Sequence, residues 1–373
     1  MPRAPIVQLM LPVDVMYTRE VVLGVRSYCR SHGPWELRII RRRDMLADTL
    51  ARDADESDGL IGVLGFDFLE QSVLDSKLPA VNVSGQLDEC RLPSVLPDDK
   101  AIAGLAVAHF LARGFRRFAY VGAVEFAYAK QRRDAFVAGL RAAGFGCLCH
   151  DVADGVSTPW MQSLAVPTAV LASNDVVAHQ VVNACSRAGL DVPADLAVLG
   201  VDNDALECEL SAVPLSSIDT DAQRVGWEAA SLLDRLMRGR RAPRRPVLVA
   251  PRNVVARDST NTLAVEDPDV AYALSYIKAH ACDPMNVSDI MDELTISRRT
   301  LEKRFRKAMG HSLHDEVRRV KFARAQALLV DSDLLVPGVA RRCGFNDPKR
   351  FTTLFRVRFG IPPAAYRRKM RAV

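Results

Sequence analysis

Residues 339–368 read VARRCGFNDPKRFTTLFRVRFGIPPAAYRR, and the apolar positions in and before this stretch repeat an earlier part of the same chain. Val287, Ile290, Leu294 and Ile296 recur 49 positions later as Val336, Val339, Cys343 and Phe345, whereas Leu301, Phe305, Met309 and Gly310 recur 50 positions later as Phe351, Phe355, Phe359 and Gly360. In each copy the spacing predicts a short helix, a turn at 294–297 or 343–347, and a second helix with a basic outer face, which is the outline of a helix-turn-helix. The offset changes by one residue inside the turn, so both amphipathic faces survive.

In the first copy the second helix is predicted over about 297–307, with Ser297 as N-cap and Leu301 and Phe305 facing inward. Arg299, Glu302, Lys303 and Arg306 then form one outward stripe, the side that meets a major groove. In the second copy Asp347 is the expected N-cap, and Pro348 takes the first helical position, where its missing N–H costs nothing. Lys349, Thr352, Thr353 and Arg356 form the matching stripe. A single helix of this kind reads equally well as the solvated face of a helical bundle, but two copies at matched positions favour a nucleic-acid reader. Charge agrees: residues 266–373 carry 21 Lys+Arg against 13 Asp+Glu, whereas residues 1–265 are slightly acidic, with 29 against 32. A cationic module joined to a mildly acidic one suits phosphate-backbone binding.

The chain has 373 residues, 49% of them hydrophobic, and the 260 or so before the reader are enough for a folded domain of their own. From residue 5 to about 259, β-branched runs such as PIVQLMLPV, DGLIGVLGF, TAVLAS and DLAVLGVDN alternate with helical stretches such as DKAIAGLAVAHFLARGF and NDVVAHQVVNACSRAGL. Continuous apolar strands separated by helices imply βαβ units on a parallel sheet covered on both faces. Ligands of such sheets bind beyond the carboxyl ends of the strands. Polar residues gather there: Asp98 and Asp99 after SVLP, Asn174 and Asp175 after TAVLAS, and Asp202, Asn203 and Asp204 after LAVLGV. Carboxylates and amides around a cleft suit sugar hydroxyls, although Asn and Asp are also the commonest cap and turn formers.

The stretch 339–368 resembles the C-terminal signature of the arabinose-activator (AraC/XylS) family of bacterial regulators. It has the GF turn, the aromatic-bearing second recognition helix and a closing motif carried by Gly360, Pro363, Tyr366 and Arg367. The resemblance covers about 269–370 and implies base-facing roles for Arg299, Glu302, Lys303, Lys349, Thr352 and Thr353. Arg298, Arg304, Arg350, Arg356, Arg367, Arg368 and Lys369 are left as DNA contacts of the phosphate-binding kind. The preceding segment resembles the sensor of the lactose- and galactose-repressor (LacI/GalR) family, related to periplasmic sugar-binding proteins, through DGLIG, LPAVNVSG, PDD, HFLARGFRRFAYVG, SNDVVA and VPADLAVLGVDND. That resemblance carries ligand contacts onto Arg132, Asn174 and Asp202, with Asp98 at the first crossover and Tyr17 on the opposite lobe. A repressor of that family begins with its own DNA-binding headpiece; none is expected here, because residue 5 already opens the first strand.

A sugar-repressor sensor with an arabinose-activator reader at its C-terminus is the arrangement of the xylose-operon-activator type, to which HACDPMNVSDIMDELTISRRTLEKRFRKAMG (280–310) is particularly similar. The implied architecture is an α/β two-lobed periplasmic-binding-protein-like (type I) sensor over 5–258, a linker over 259–268, and an all-α DNA-binding domain with two helix-turn-helix units over 269–373. The implied function is that of a ligand-responsive transcription activator of sugar catabolism. It would be a homodimer working with RNA polymerase on tandem half-sites of double-stranded DNA, with a monosaccharide, D-xylose by resemblance, as effector. The alternative is a sensor that serves only for dimerisation or takes a non-sugar effector.

An enzyme is not expected. Some arabinose-activator-type readers are fused to alkyl-transfer domains built on a zinc-bound cysteine cluster, but Cys29, Cys90, Cys185, Cys208, Cys282 and Cys343 stand apart in sequence, and Cys147 and Cys149 have no second pair nearby. His109 and His179 lack i+4 partners, and His311 and His314 follow a glycine turn, so no catalytic, metal or cofactor site is predicted. Residues 1–11 lack the charge and apolar core of a secretion signal, and no apolar run reaches the ~18 residues of a membrane span. The expected location is the cytoplasm, with reduced thiols.

Overall fold

A computed structural model describes residues 3–13, 15–40, 56–64, 67–152, 155–262, 264, 267–283, 285 and 287–371. The chain divides into two compact units, Met1–Phe110 with Phe115–Thr262, and Leu111–Gly114 with Leu263–Val373.

The first unit is a two-lobed α/β body. Lobe one holds β1 (Ile6–Met10), α1 (Met16–His32), β2 (Glu36–Ile39), β3 (Gly59–Gly62), α2 (Asp67–Ser76), β4 (Ala80–Asn82) and β5 (Val95–Pro97). Its four-stranded sheet runs β2-β1-β3-β4, all parallel. Every residue of β1, β3 and β4 is buried, as a parallel sheet covered on both faces requires. After β5 the chain crosses to lobe two: α3 (Asp99–Leu111), β6 (Phe118–Gly122), α4 (Ala127–Ala142), β7 (Leu148–Asp151), α5 (Thr158–Gln162), β8 (Thr168–Ala172), α6 (Asp175–Ala188), β9 (Leu196–Val201), α7 (Ala205–Leu210) and β10 (Ser216–Ile218). It then returns as α8 (Ala222–Met237) and β11 (Val247–Val249), which pairs with β5. It crosses a third time into β12 (Val254–Val255), antiparallel to β10. The second sheet runs β12-β10-β9-β8-β6-β7.

Helices α1 and α8 cover one face of the lobe-one sheet and touch backbone to backbone. A Cβ on Gly24 would lie 1.9 Å from the Gln223 carbonyl oxygen, and one on Gly226 would lie 2.0 Å from that of Val21. Two side-chain-free positions therefore set the depth of this packing.

The second unit is all helical: α9 (Pro268–His280), α10 (Val287–Met291), α11 (Arg298–Met309), α12 (Leu313–Asp331), α13 (Val336–Arg342), α14 (Pro348–Phe359) and α15 (Pro363–Arg371). The two expected helix-turn-helix units are α10–α11 and α13–α14. Ser297 accepts from Thr300 N at 3.2 Å and Asp347 from Lys349 N at 2.8 Å, so both expected N-caps form. Gly310 and Gly360 close the two recognition helices with φ near 78° and 76°, a left-handed conformation that favours glycine. One small core gathers Ile290, Leu301, Phe305 and Met309, and another gathers Val339, Cys343, Phe351 and Phe355. Helix α12 serves both, sending Leu313 and Val317 into the first and Phe322, Ala325 and Leu329 into the second.

Two details depart from the sequence reading. The expected linker over 259–268 is short: Ser259 and Thr260 sit fully buried in a 3-10 turn of the first unit, and Pro268 already opens α9 under an Asp267 cap. Cys282 and Cys343, apart in sequence, are brought together in the second unit, where each thiol perturbs the other's titration, Cys282 lowered and Cys343 raised.

Candidate ligand cleft and nucleic-acid interface

Strand ends deliver the cleft. Tyr17 lies in the first turn of α1, after β1; Asp98 and Asp99 follow β5; Arg132 sits one turn into α4, after β6; Asn174 follows β8 and Asp202 follows β9. At its centre is Arg132, only 3% exposed. Its Nε and Nη2 donate to Asp99 Oδ1 at 2.9 and 2.6 Å, and its Nη1 donates to the Ser173 carbonyl. The guanidinium also lies over the Tyr128 ring, 5.4 Å from its centroid. Burial works against this charge, yet Asp99 and Asp202 outweigh it and hold the guanidinium protonated beyond its ordinary range.

The carboxylates respond in the opposite sense. Burial first, then Asp99 and Asp204, push Asp202 up to about 7, with Arg132 and the neighbouring Thr220 hydroxyl pulling the other way. Burial also raises Asp99 against the pull of Arg132. From the opposite lobe, Tyr17 donates to the Val83 carbonyl at 2.9 Å, and its phenol is raised by burial and by the Asp202 and Asp99 charges. One cation and several carboxylates thus share a poorly hydrated cleft.

Asp98 and Asn174 both serve as helix caps, the bland alternative for such residues. Asp98 Oδ1 accepts from Ala101 N at 3.0 Å, and the side chain that meets Arg132 is its neighbour Asp99. Asn174 Oδ1 accepts from Val177 N at 2.9 Å, while its amide donates to Tyr128 Oη at 3.3 Å. A cavity of about 250 Å³ reaches Asp202 and Asn203 and is lined further by Met16, Glu20, Asp219 and Arg252; Tyr17, Arg132 and Asn174 do not line it. Ser173 Oγ and Gln86 Oε1 are buried with no hydrogen-bond partner among the described residues, and such groups call for a ligand or a water. The sequence reading placed Asp99 at this strand end but gave the ligand role to Asp98, and it did not single out Tyr128, Ser173 or Thr220, which surround Arg132 and Asp202.

On the second unit, Arg298, Arg299, Glu302, Lys303 and Arg306 of α11 are all exposed, as are Lys349, Arg350, Thr353 and Arg356 of α14, with Thr352 half-buried. The surface is not free throughout. Arg298 Nε holds Glu302 at 2.9 Å across one turn, so that carboxylate must be released before it meets a base. Thr352 and Thr353 donate their hydroxyls to the Pro348 and Lys349 carbonyls at 2.9 and 3.2 Å, which leaves the γ-methyls as the groups they offer. Arg304 and Arg367 both have partners within the unit, Arg304 while remaining exposed. Arg304 pairs with Asp269 at 3.0 Å, and Arg367 donates to the Leu329 and Leu334 carbonyls at 3.0 and 2.5 Å. Arg368 is exposed, and the Lys369 side chain lies outside the described residues. Among the described residues no group of His, Cys, Asp and Glu is arranged to hold a metal, and no helix is long and apolar enough to cross a membrane.

A family described as periplasmic binding protein-like domain matches residues 107–260, and one described as helix-turn-helix domain matches residues 290–369. The Xylose operon regulatory protein of Escherichia coli (strain K12) is 30% identical over 97% of this chain and 96% of its own. The protein of the same name from Haemophilus influenzae is 27% identical over 97% of each chain. A solved structure described as xylose-binding transcription activator xylR aligns over 98% of both chains with 28% identity and a TM-score of 0.62.

Proposed function

The chain belongs to the xylose operon regulatory protein family, as its full-length similarity to those proteins shows, and from that premise we propose that its effector is D-xylose, held by Asp202, Asp99, Arg132, Asn174 and Tyr17. It is a sugar-responsive, DNA-binding transcriptional regulator. The observation that carries the choice of a sugar is the cleft: a polyol donates hydroxyls to carboxylates and accepts from a guanidinium, and Asp202 and Asn203 line a cavity of about 250 Å³. Because Arg132 and Asp99 already hold each other, the ligand's gain comes from Asp202 and Asn203, and it favours closure by its difference in affinity for open and closed lobes.

In this reading a homodimer presents four helix-turn-helix units to two direct repeats of about 15 to 20 base pairs each, since successive units need roughly one helical turn of DNA. Arg299, Lys303 and Lys349 read bases, Thr352 and Thr353 touch thymine methyls, and Arg298, Arg306, Arg350, Arg356 and Arg368 hold phosphates. The protein activates transcription through RNA polymerase in the cytoplasm and catalyses no reaction. A second reading, a sensor kept only for dimerisation, draws on the internal partners that all three Arg132 nitrogens already have. Calorimetric titration with D-xylose, L-arabinose, D-ribose, D-glucose and D-galactose separates the two. Saturable micromolar binding of D-xylose alone is expected, and no binding of any of the five would leave the dimerisation role or an effector outside this set.

A further inference from the structure

Asp202 and Asn203 both have positive φ, 107° and 57°, a conformation that non-glycine residues hold only when their surroundings impose it. Two sets of hydrogen bonds impose it here. On one side Asn203 N donates to Ser217 Oγ at 2.9 Å, and Asp175, 1% exposed, accepts from Ser217 Oγ at 2.6 Å and from Asp204 N at 2.7 Å. On the other side Arg257 Nη2 donates to Asn203 Oδ1 at 2.9 Å, while its Nη1 donates to the Leu215 carbonyl at 2.7 Å.

From Arg257 the bonds continue. Arg257 N donates to Ser216 Oγ at 2.8 Å, and Ser216 Oγ donates back to the Arg257 carbonyl at 3.0 Å. Thr260 Oγ1 donates to the same Ser216 Oγ at 2.7 Å. A hydroxyl has one hydrogen and two lone pairs, so Ser216 is saturated and cannot follow one partner without releasing another. Thr260 has given its own hydrogen to Ser216, so His109, whose Nε2 lies 2.9 Å from Thr260 Oγ1, must be the donor there. The neighbouring Ser259 Oγ accepts from Ser216 N at 2.8 Å and donates to the Val198 carbonyl at 2.6 Å. Ser216, Ser259 and Thr260 are all fully buried, and in that low-dielectric setting each unmade bond is costly.

We propose that Arg257 and Ser216 are positioning residues that carry the state of the effector loop at 202–204 to the turn at 258–260, after which the chain passes to the DNA-binding unit. Residue 262 is the last of the sensor, so a shift of Thr260 acts on the segment leading into the reader. The relay rests on the sugar-sensing reading above and adds its route. A sugar hydroxyl bound by Asp202 or Asn203 competes with or reinforces the Arg257–Asn203 bond. Ser216 holds Arg257 by its backbone N–H and carbonyl, so a pull on the guanidinium that displaces the Arg257 main chain breaks the Ser216 bonds that fix the turn.

The test uses full-length protein and three measured quantities: D-xylose affinity by calorimetry, operator affinity without sugar, and operator affinity with saturating sugar. The variants are Arg257→Gln, the charge-preserving Arg257→Lys, and the near-isosteric Thr260→Val, with Arg117→Gln on the far end of β6 as control. Allosteric coupling in such systems is typically about 5- to 150-fold. In the three relay variants the ratio of the two operator affinities is expected to fall to within about twofold of unity, while sugar affinity and sugar-free operator affinity stay within about threefold of wild type. Arg117→Gln should keep the full ratio. A wild-type ratio in Arg257→Gln and Thr260→Val overturns the relay. So does loss of sugar binding itself in all three, which would make these residues supports of the cleft. If wild-type protein has no sugar-dependent ratio, the sensing reading fails first and the relay with it.

Discussion

Effector binding should strengthen as pH rises through neutrality, and Asp202 supplies the magnitude. Its carboxyl is pushed up to about 7 by burial and by the nearby Asp99 and Asp204, against the pull of Arg132, whereas an aspartate in the unfolded chain titrates near ~3.9. Because the folded state holds this proton more tightly than the unfolded state, the group favours folding at low pH and loses that contribution as pH rises from ~3.9 to about 7. For ligand the sign is reversed, since only the ionised carboxylate accepts hydroxyl hydrogens on both oxygens. About one carboxyl in eleven is ionised at pH 6 and about ten in eleven at pH 8, so D-xylose affinity should rise about tenfold over that interval, or ~1.4 kcal/mol. Calorimetry at both pH values, in two buffers of different ionisation enthalpy, should also show proton release on binding near pH 7. Asp202→Asn should bind more weakly and with a flat profile. A flat wild-type profile, or the same slope in Asp202→Asn, would refute the assignment of this carboxylate to the ligand.

Arg132→Gln leaves Asp99 and Asp202 facing each other without their cation; it should cost roughly 3–5 kcal/mol in sensor stability by chemical denaturation, and a change below about 1 kcal/mol would mean the pair is well solvated. Gly226→Ala puts a methyl 2.0 Å from the Val21 carbonyl oxygen and should destabilise the first unit by at least ~2–3 kcal/mol, with α1 and α8 forced apart; wild-type thermal stability would contradict the packing described. Phe355→Ala removes a fully buried ring from a core of few residues and should cost about 3–5 kcal/mol, abolishing operator binding while calorimetric sugar binding persists. Arg299→Ala should lose ~1–3 kcal/mol mainly on cognate DNA, whereas Arg356→Ala should weaken all sequences alike and lower the slope of log affinity against log salt by about 0.9. Equal effects of the two on specific and random DNA would remove the distinction between base and phosphate contacts.

Much of the second unit was legible because its signals are local. Ser297 and Asp347 cap helices within three residues of themselves, Gly310 and Gly360 turn the chain where they stand, and a period near 3.6 fixes which of Leu301, Phe305, Phe351 and Phe355 go inward. The strands of the sensor were legible for a similar reason, since runs such as IVQLM and LAVLGV bury both faces. Family resemblance pointed to loops that the fold gathers at the strand ends, but a resemblance aligned on motifs could not choose between Asp98 and Asp99 as the partner of Arg132. One caps α3 and the other meets Arg132, and the choice depends on where α4 sits against the β5 crossover.

The sequence by itself therefore determined the two-part architecture, the repeat of the reader, and the strand ends at which polar residues gather, because each follows from contacts between residues close in the chain. Only the tertiary structure decided which charged groups remain available. Arg367 stands in the reader like any other phosphate-facing arginine, yet the Leu329 and Leu334 carbonyls, 38 and 33 residues away, hold it. Arg257 joins Asn203 across 54 residues and Ser216 across 41. Pairings over such distances are set by how the sheets and helices pack, since an unpaired buried donor costs far more than its bond returns in water, and that condition cannot be evaluated until the fold has brought the partners together.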